Sequence, residues 1–160
     1  MKVKDFIPLI SIISLIILFT AFRQYYSGFS WQGAMLDFMA GFFLVFGTFK
    51  LINLTEFAQA YSMYDIVARS IPAYAYLYPF IEIGLGLCYL FRYQLLVANI
   101  ITLILMIIGS IGVFLALRKK EILMCACMGA LFKIPMTYVT LAEDLIMGLM
   151  ALTMIIMEIR

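Results

Sequence analysis

LLVANIITLILMIIGSIGVFLAL, residues 95–117, carries no charged side chain from end to end. As a helix rising ~1.5 Å per residue it is about 35 Å long, enough to cross the ~30 Å hydrocarbon core of a bilayer. Four more stretches extend the reading outward. Phe6–Phe22 is uncharged, Leu36–Leu54 is interrupted by Lys50, and Ala73–Phe91 contains Glu82. The last runs from about Pro135 to Ile159 and holds Glu143, Asp144 and Glu158. Lipid offers peptide groups no hydrogen-bond partner, so all five are expected to be helices. The fold class is all-α, a polytopic transmembrane helical bundle.

Composition agrees. The chain has 160 residues, 66% hydrophobic and 12% charged, with mean hydropathy +1.11. Soluble domains hold ~45–50% apolar and ~25% charged residues. That excludes an ordinary soluble enzyme, a disordered segment and a nucleic-acid-binding module, since a net charge of +2 supplies no basic face. The partner that composition names is the lipid bilayer; nucleic acid is not one. The first apolar run follows Lys2 and Lys4 but exceeds a signal-peptide core. Thr20-Ala21-Phe22 is a poor cleavage site, so the run reads as a retained helix.

Lysine and arginine set the expected orientation. With the N-terminus inside, Lys2, Lys4, Lys50, Arg69, Arg118, Lys119, Lys120 and Lys133 face the cytoplasm. Arg23, Arg92 and Arg160 face outward, so the N-terminus is expected inside the cell (inner) membrane and the C-terminus outside. Gln24–Gly33 becomes an outer loop with Tyr25, Tyr26 and Trp31 at interfacial depth, and 92–94 a tight outer turn.

Two inner segments are longer. Asn53 and Glu56 have capping-box spacing, and 55–69 reads as an amphipathic surface helix on which Asp65 and Arg69 sit four apart, as a pair would. Tyr61, Tyr64, Tyr74, Tyr76 and Tyr78 read as an interfacial aromatic belt. The other segment, Arg118–Lys133, turns apolar after its basic start and is too short to span, so it should dip into the interface. With no internal repeat or linker, residues 1–160 form a single domain.

The chain has no histidine. The usual general base, the commonest metal ligand and every Ser-His-Asp or Cys-His arrangement are therefore missing. Three candidate groups remain. Cys125-Ala126-Cys127 is a local dithiol that can close a strained, easily reduced disulfide. With the thioethers of Met124 and Met128 it can instead hold a soft metal such as Cu(I). Cytoplasmic thiols are kept reduced, so a permanent disulfide is not expected there; Cys88 reads as a small buried hydrophobe.

The second group is the charge at membrane depth. Lys50 lies about 6 Å, and Glu82 and Glu143 each about 12 Å, from the inner ends of their helices. Such groups need partners or hydration. They read either as a packing cluster with Lys50 bridging Glu82 and Glu143, or as a proton or cation path. Asp144 points ~100° away from Glu143 and is expected on another face. Third, Met147, Met150, Met154 and Met157 form a stripe with Glu143, read as helix packing rather than a metal conduit. Gly41, Gly84, Gly86, Gly109 and Gly112 read as points of close helix approach.

Taken in order, FMAGFFLVFGTFKL (38–51), YSMYDIVAR (61–69), YLYPFIEIGLGL (76–87) and CACMGALFKIPMTYVTLAED (125–144) resemble the methylamine utilisation protein MauE family, within the DoxX-like membrane proteins. The resemblance covers roughly 36–158. It implies a four-helix core over 36–160, preceded by an N-terminal helix and outer loop over 1–35. It also implies a redox-associated accessory that helps mature a periplasmic, disulfide-rich partner. Some relatives look like fusions to a heavy-metal-associated domain; this sequence holds no metal-binding CxxC. Lys50, Asp65, Glu82, Cys125, Cys127 and Glu143 fall on the family's motif positions. The expectation is a thiol-redox accessory with a protein client or redox partner, Cu(I) or a quinone as candidate cofactor, and homo-oligomerisation open. Soft-metal handling and a chemically inert scaffold are the alternatives.

Overall fold

The computed structural model describes residues 7–119 and 138–159. Among these residues seven helices form in order: α1 (Ile7–Ser27), α2 (Trp31–Ile52), α3 (Leu54–Ser62), α4 (Ile66–Ser70), α5 (Pro72–Phe91), α6 (Leu95–Arg118) and α7 (Tyr138–Ile159). No strand occurs among the described residues. Five helices are long and apolar enough to cross a membrane: α1, α2, α5, α6 and α7. The chain is a multi-pass membrane bundle.

The helix ends overrun the hydropathy boundaries. α1 continues to Ser27 and α2 starts at Trp31, so the expected ten-residue outer loop shrinks to 28–30. Gly28 makes the turn at φ 83°, and the Ser30 hydroxyl accepts from the Gly33 N–H to cap α2. Hydropathy marks where lipid contact stops; the backbone stays helical until a cap ends it. At the same end the 92–94 hairpin holds Arg92 and Gln94 in the left-handed region, at φ 56° and 48°.

The expected 55–69 helix is two helices. Asn53 caps α3 without a side-chain hydrogen bond, so the anticipated capping box does not form. The chain breaks at 63–65 because Asp65 begins a new helix. Its Oδ1 accepts from the N–H groups of Val67 (3.0 Å) and Ala68 (2.8 Å). Its Oδ2 takes the Tyr61 hydroxyl at 3.0 Å. Asp65 is therefore buried and turned inward, and no Asp65–Arg69 ion pair forms among the described residues. Burial pushes the Tyr61 phenol well above its usual range, so it remains a donor.

Packing in lipid gains little from hydrophobic burial and depends on close contact. The main seams are α2 on α5 and α6 on α7, with α1 laid against α2. A Cβ at Gly86 would fall 2.8 Å from Leu44 Cγ, and one at Gly41 2.9 Å from Ile16 Cγ2. At Gly112 it would fall 2.8 Å from the Tyr64 carbonyl oxygen, which docks the α3–α4 arm onto α6. Gly84 departs from expectation: nothing lies within 4 Å of such an atom. Met147 and Met154 are core, as the packing reading of the stripe requires, whereas Met157 is exposed.

Candidate functional site

Four helices and the α3–α4 arm enclose a small polar pocket. From α2 comes Lys50, from α5 Glu82 and Tyr78, and from α7 Glu143 and Asp144. Met106, Gly109 and Val113 of α6, Thr140 of α7 and aromatic rings of α2 and the α3–α4 arm make the rest of the wall. Lys50 Nζ donates to Glu82 Oε1 at 2.5 Å, and both side chains are almost wholly out of solvent. The same ammonium lies 4.9 Å from the Tyr78 ring centroid and 5.6 Å from that of Phe57. A desolvated cation is stabilised by such ring faces as well as by its carboxylate.

The second, third and fifth spans do meet, but Lys50 does not bridge two acids. It pairs with Glu82, while Glu82 Oε2 and Glu143 Oε1 are buried with no hydrogen-bond partner. Asp144 also corrects the expectation. It lines the same cavity as Glu143, because the pocket reaches across α7 and receives neighbours ~100° apart from either side. Its Oδ2 lies 3.2 Å from where a Gly109 Cβ would stand, so the missing side chain on α6 makes its seat. One ammonium thus faces three carboxyl groups.

The pocket volume is about 40 Å³. At ~10–15 Å³ per water on this measure, it holds about three waters. It is the right size for protons and water, and too small for an aromatic ring.

The tyrosines are not an outer belt. Tyr61 and Tyr78 are buried, Tyr64 and Tyr74 half-buried, and only Tyr76 is exposed. Tyr61 and Tyr78 have ring centroids 4.6 Å apart, and Phe57 lies against Tyr61 at 5.3 Å. A helix broken at 63–65 can fold its aromatic face over the pocket, where a continuous surface helix would leave it in the interface. Asp65 braces that arm rather than lining the cavity.

Two polar clusters escaped the sequence reading. Asp37, on α2, is 1% exposed. Its Oδ2 accepts from Gln24 Nε2 at 2.8 Å, and Oδ1 lies 3.6 Å from both Arg23 and Arg92. The signal was available: an acid inside an apolar run with arginines at the adjoining helix ends. Between α5 and α6, the Tyr89 hydroxyl donates to Asn99 Oδ1 at 3.0 Å and lies 2.8 Å from Thr102 Oγ1. All three side chains are buried, and Asn99 Nδ2 has no partner.

Cys125, Cys127, Met124 and Met128 lie outside the described residues. Among the described residues no group of His, Cys, Asp or Glu has the geometry to hold a metal ion. No curated protein and no solved structure matches the chain. The family comparison does match: the description "Methylamine utilisation protein MauE" covers residues 29–157, all four spans that build the pocket. By that match over most of its length, this multi-pass membrane protein belongs to the MauE family.

Proposed function

We propose that this accessory protein carries out thiol redox chemistry in support of a partner protein's maturation. Cys125 and Cys127 cycle between dithiol and disulfide, and the pocket handles the protons. Oxidation releases two protons and two electrons; a membrane-dissolved quinone takes both and becomes a quinol. The observation behind this reading is the pocket itself, with its buried Lys50–Glu82 pair and two unpartnered carboxylate oxygens. Unpaired acids at membrane depth are costly and mark ion pathways and proton relays. Thr140, Glu143 and Asp144 stand on the first turns of α7, immediately after the segment that carries the dithiol.

The orientation proposed is cytoplasmic for the α3–α4 end and the dithiol, in a cell (inner) membrane. Differential alkylation with mass spectrometry tests the chemistry. A Cys125–Cys127 disulfide should form when quinone is supplied and reopen on reduction. Thiols that stay reduced throughout refute the reading. Cu(I) bound at one equivalent, and lost in the Cys125→Ser/Cys127→Ser variant, establishes the soft-metal alternative on Cys125, Cys127, Met124 and Met128. Full function in that variant leaves only a scaffold.

A further inference from the structure

A second cavity abuts the first. Between α6 and α7, on their lipid-facing side, runs an apolar groove of about 370 Å³, lined among others by Met106, Ile107 and Ser110, and by Leu145, Gly148 and Leu149. Ile107 and Leu149 are half or more exposed along it. Asp144 and Met106 line both this groove and the buried pocket, so together they form the partition between them. Among the described residues Asp144 is the groove's single ionisable group, and it sits at one end. The groove's α7 wall continues from there to Leu152, about 12 Å deeper along the helix.

We propose that this groove is the quinone site, with the ring at Asp144 and the isoprenoid tail along α6 and α7 towards Leu152. Size decides which cavity takes the ring. The pocket admits about three waters, while the groove has room for a substituted six-membered ring and the start of a tail. Depth disfavours a phospholipid headgroup, because Asp144 stands six residues inside α7, about 9 Å from its start at Tyr138. A purely hydrocarbon occupant would set a lipid tail against that carboxyl and offer it no hydrogen bond from the groove side. A quinone presents one oxygen to that carboxyl and hydrocarbon to everything else.

The site rests on the thiol-redox reading only for its source of electrons. Two thiols and one quinone give one disulfide and one quinol. The S–H bonds of Cys125 and Cys127 break and the S–S bond forms. The electron pair reduces the ring, and its oxygens gain two O–H bonds. Asp144 passes a proton to the nearer oxygen and regains one from the Glu143 side of the partition.

A second groove supplies the control. Between α1 and α2 lies a cavity of about 390 Å³ lined by Ile16, Phe19, Leu44 and Phe49, with no polar side chain among the described residues. The experiment uses a photoreactive benzoquinone with a ten-carbon tail and the full chain in phosphatidylcholine nanodiscs. Labelled peptides are mapped by mass spectrometry in both the native and the Cys125→Ser/Cys127→Ser proteins. Label should concentrate on α6 and α7 and be displaced by unlabelled quinone. Losing one buried hydrogen bond, Asp144→Leu should weaken labelling about 10-fold. Gly148→Leu should abolish it by filling the groove.

Equal labelling of the two grooves, or labelling indifferent to Asp144→Leu, overturns the site. A disulfide that forms with quinone while α6 and α7 remain unlabelled also overturns the site, and leaves the redox reading standing. Specific labelling with no disulfide supports the site and refutes only the redox reading.

Discussion

Lys50 holds its ammonium in a membrane span, out of reach of solvent, because three features act together: the Glu82 carboxylate and the faces of Tyr78 and Phe57. A buried pair is seldom a net gain over apolar packing, whereas a buried charge without its partner is expensive. Lys50→Met therefore strands Glu82 beside Glu143 and Asp144 and should destabilise the protein by about 3–5 kcal/mol. Lys50→Met/Glu82→Leu should recover most of that loss. Denaturant unfolding in detergent micelles reads both. If the double variant is as unstable as the sum of the singles, the two side chains are not a coupled pair. Tyr89 gives a second test at this scale. Tyr89→Phe removes the hydroxyl shared by Asn99 and Thr102 and leaves both buried, costing about 1–3 kcal/mol in the same assay.

Among the elements, α2 and α5 form the seam that holds the Lys50–Glu82 pair together, and glycine sets their separation. Gly86→Ala places a methyl 2.8 Å from Leu44 and 3.0 Å from its backbone nitrogen, so the helices must part. The expected cost is about 1–3 kcal/mol. Gly84→Ala, on the same helix, meets nothing within 4 Å and should be neutral or stabilising by up to about 1 kcal/mol. Unfolding of the two variants side by side separates a packing contact from mere helix propensity; equal effects would show that the seam is not tight.

Much at this scale was legible beforehand. A run such as 95–117 has one stable state in lipid, so existence and number of spans follow from hydropathy alone. Helix register alone put Glu82 and Glu143 at a common depth with Lys50 nearer the inner end, and left open whether the three helices meet. What escaped depends on side chains choosing between local and distant partners. Asp65 spends its carboxylate on two N–H groups, which breaks a helix that amphipathicity draws as continuous. That break turns Tyr61 inward over the pocket. Asp37 escaped because an acid near a helix start reads as interfacial until Arg23, Gln24 and Arg92 are seen converging on it.

Across the whole molecule, charge is layered, and the layers bear on orientation. The end with the 28–30 and 92–94 turns carries Arg23 and Arg92, but both are held by Asp37 at 3.6 Å. One carboxylate offsets at most one of those two charges. At the other end Arg69, Arg118 and Lys119 are exposed, and none forms an ion pair among the described residues. Among the described residues the lysines and arginines at that end outnumber those at the turn end, and the richer side is the one retained in the cytoplasm. The end bearing α3 and α4 should stay in the cytoplasm. In a Ser27→Cys variant also lacking Cys88, Cys125 and Cys127, a membrane-impermeant maleimide should label the new thiol in intact cells, since Ser27 is exposed beside the 28–30 turn. Native Cys125 and Cys127 should react only in inverted vesicles. Labelling with the sides exchanged would place the dithiol in the oxidising compartment, where a stable disulfide replaces the proposed cycle. The same measurement therefore decides both the topology and whether the pocket's carboxyl groups face a reversible thiol at all.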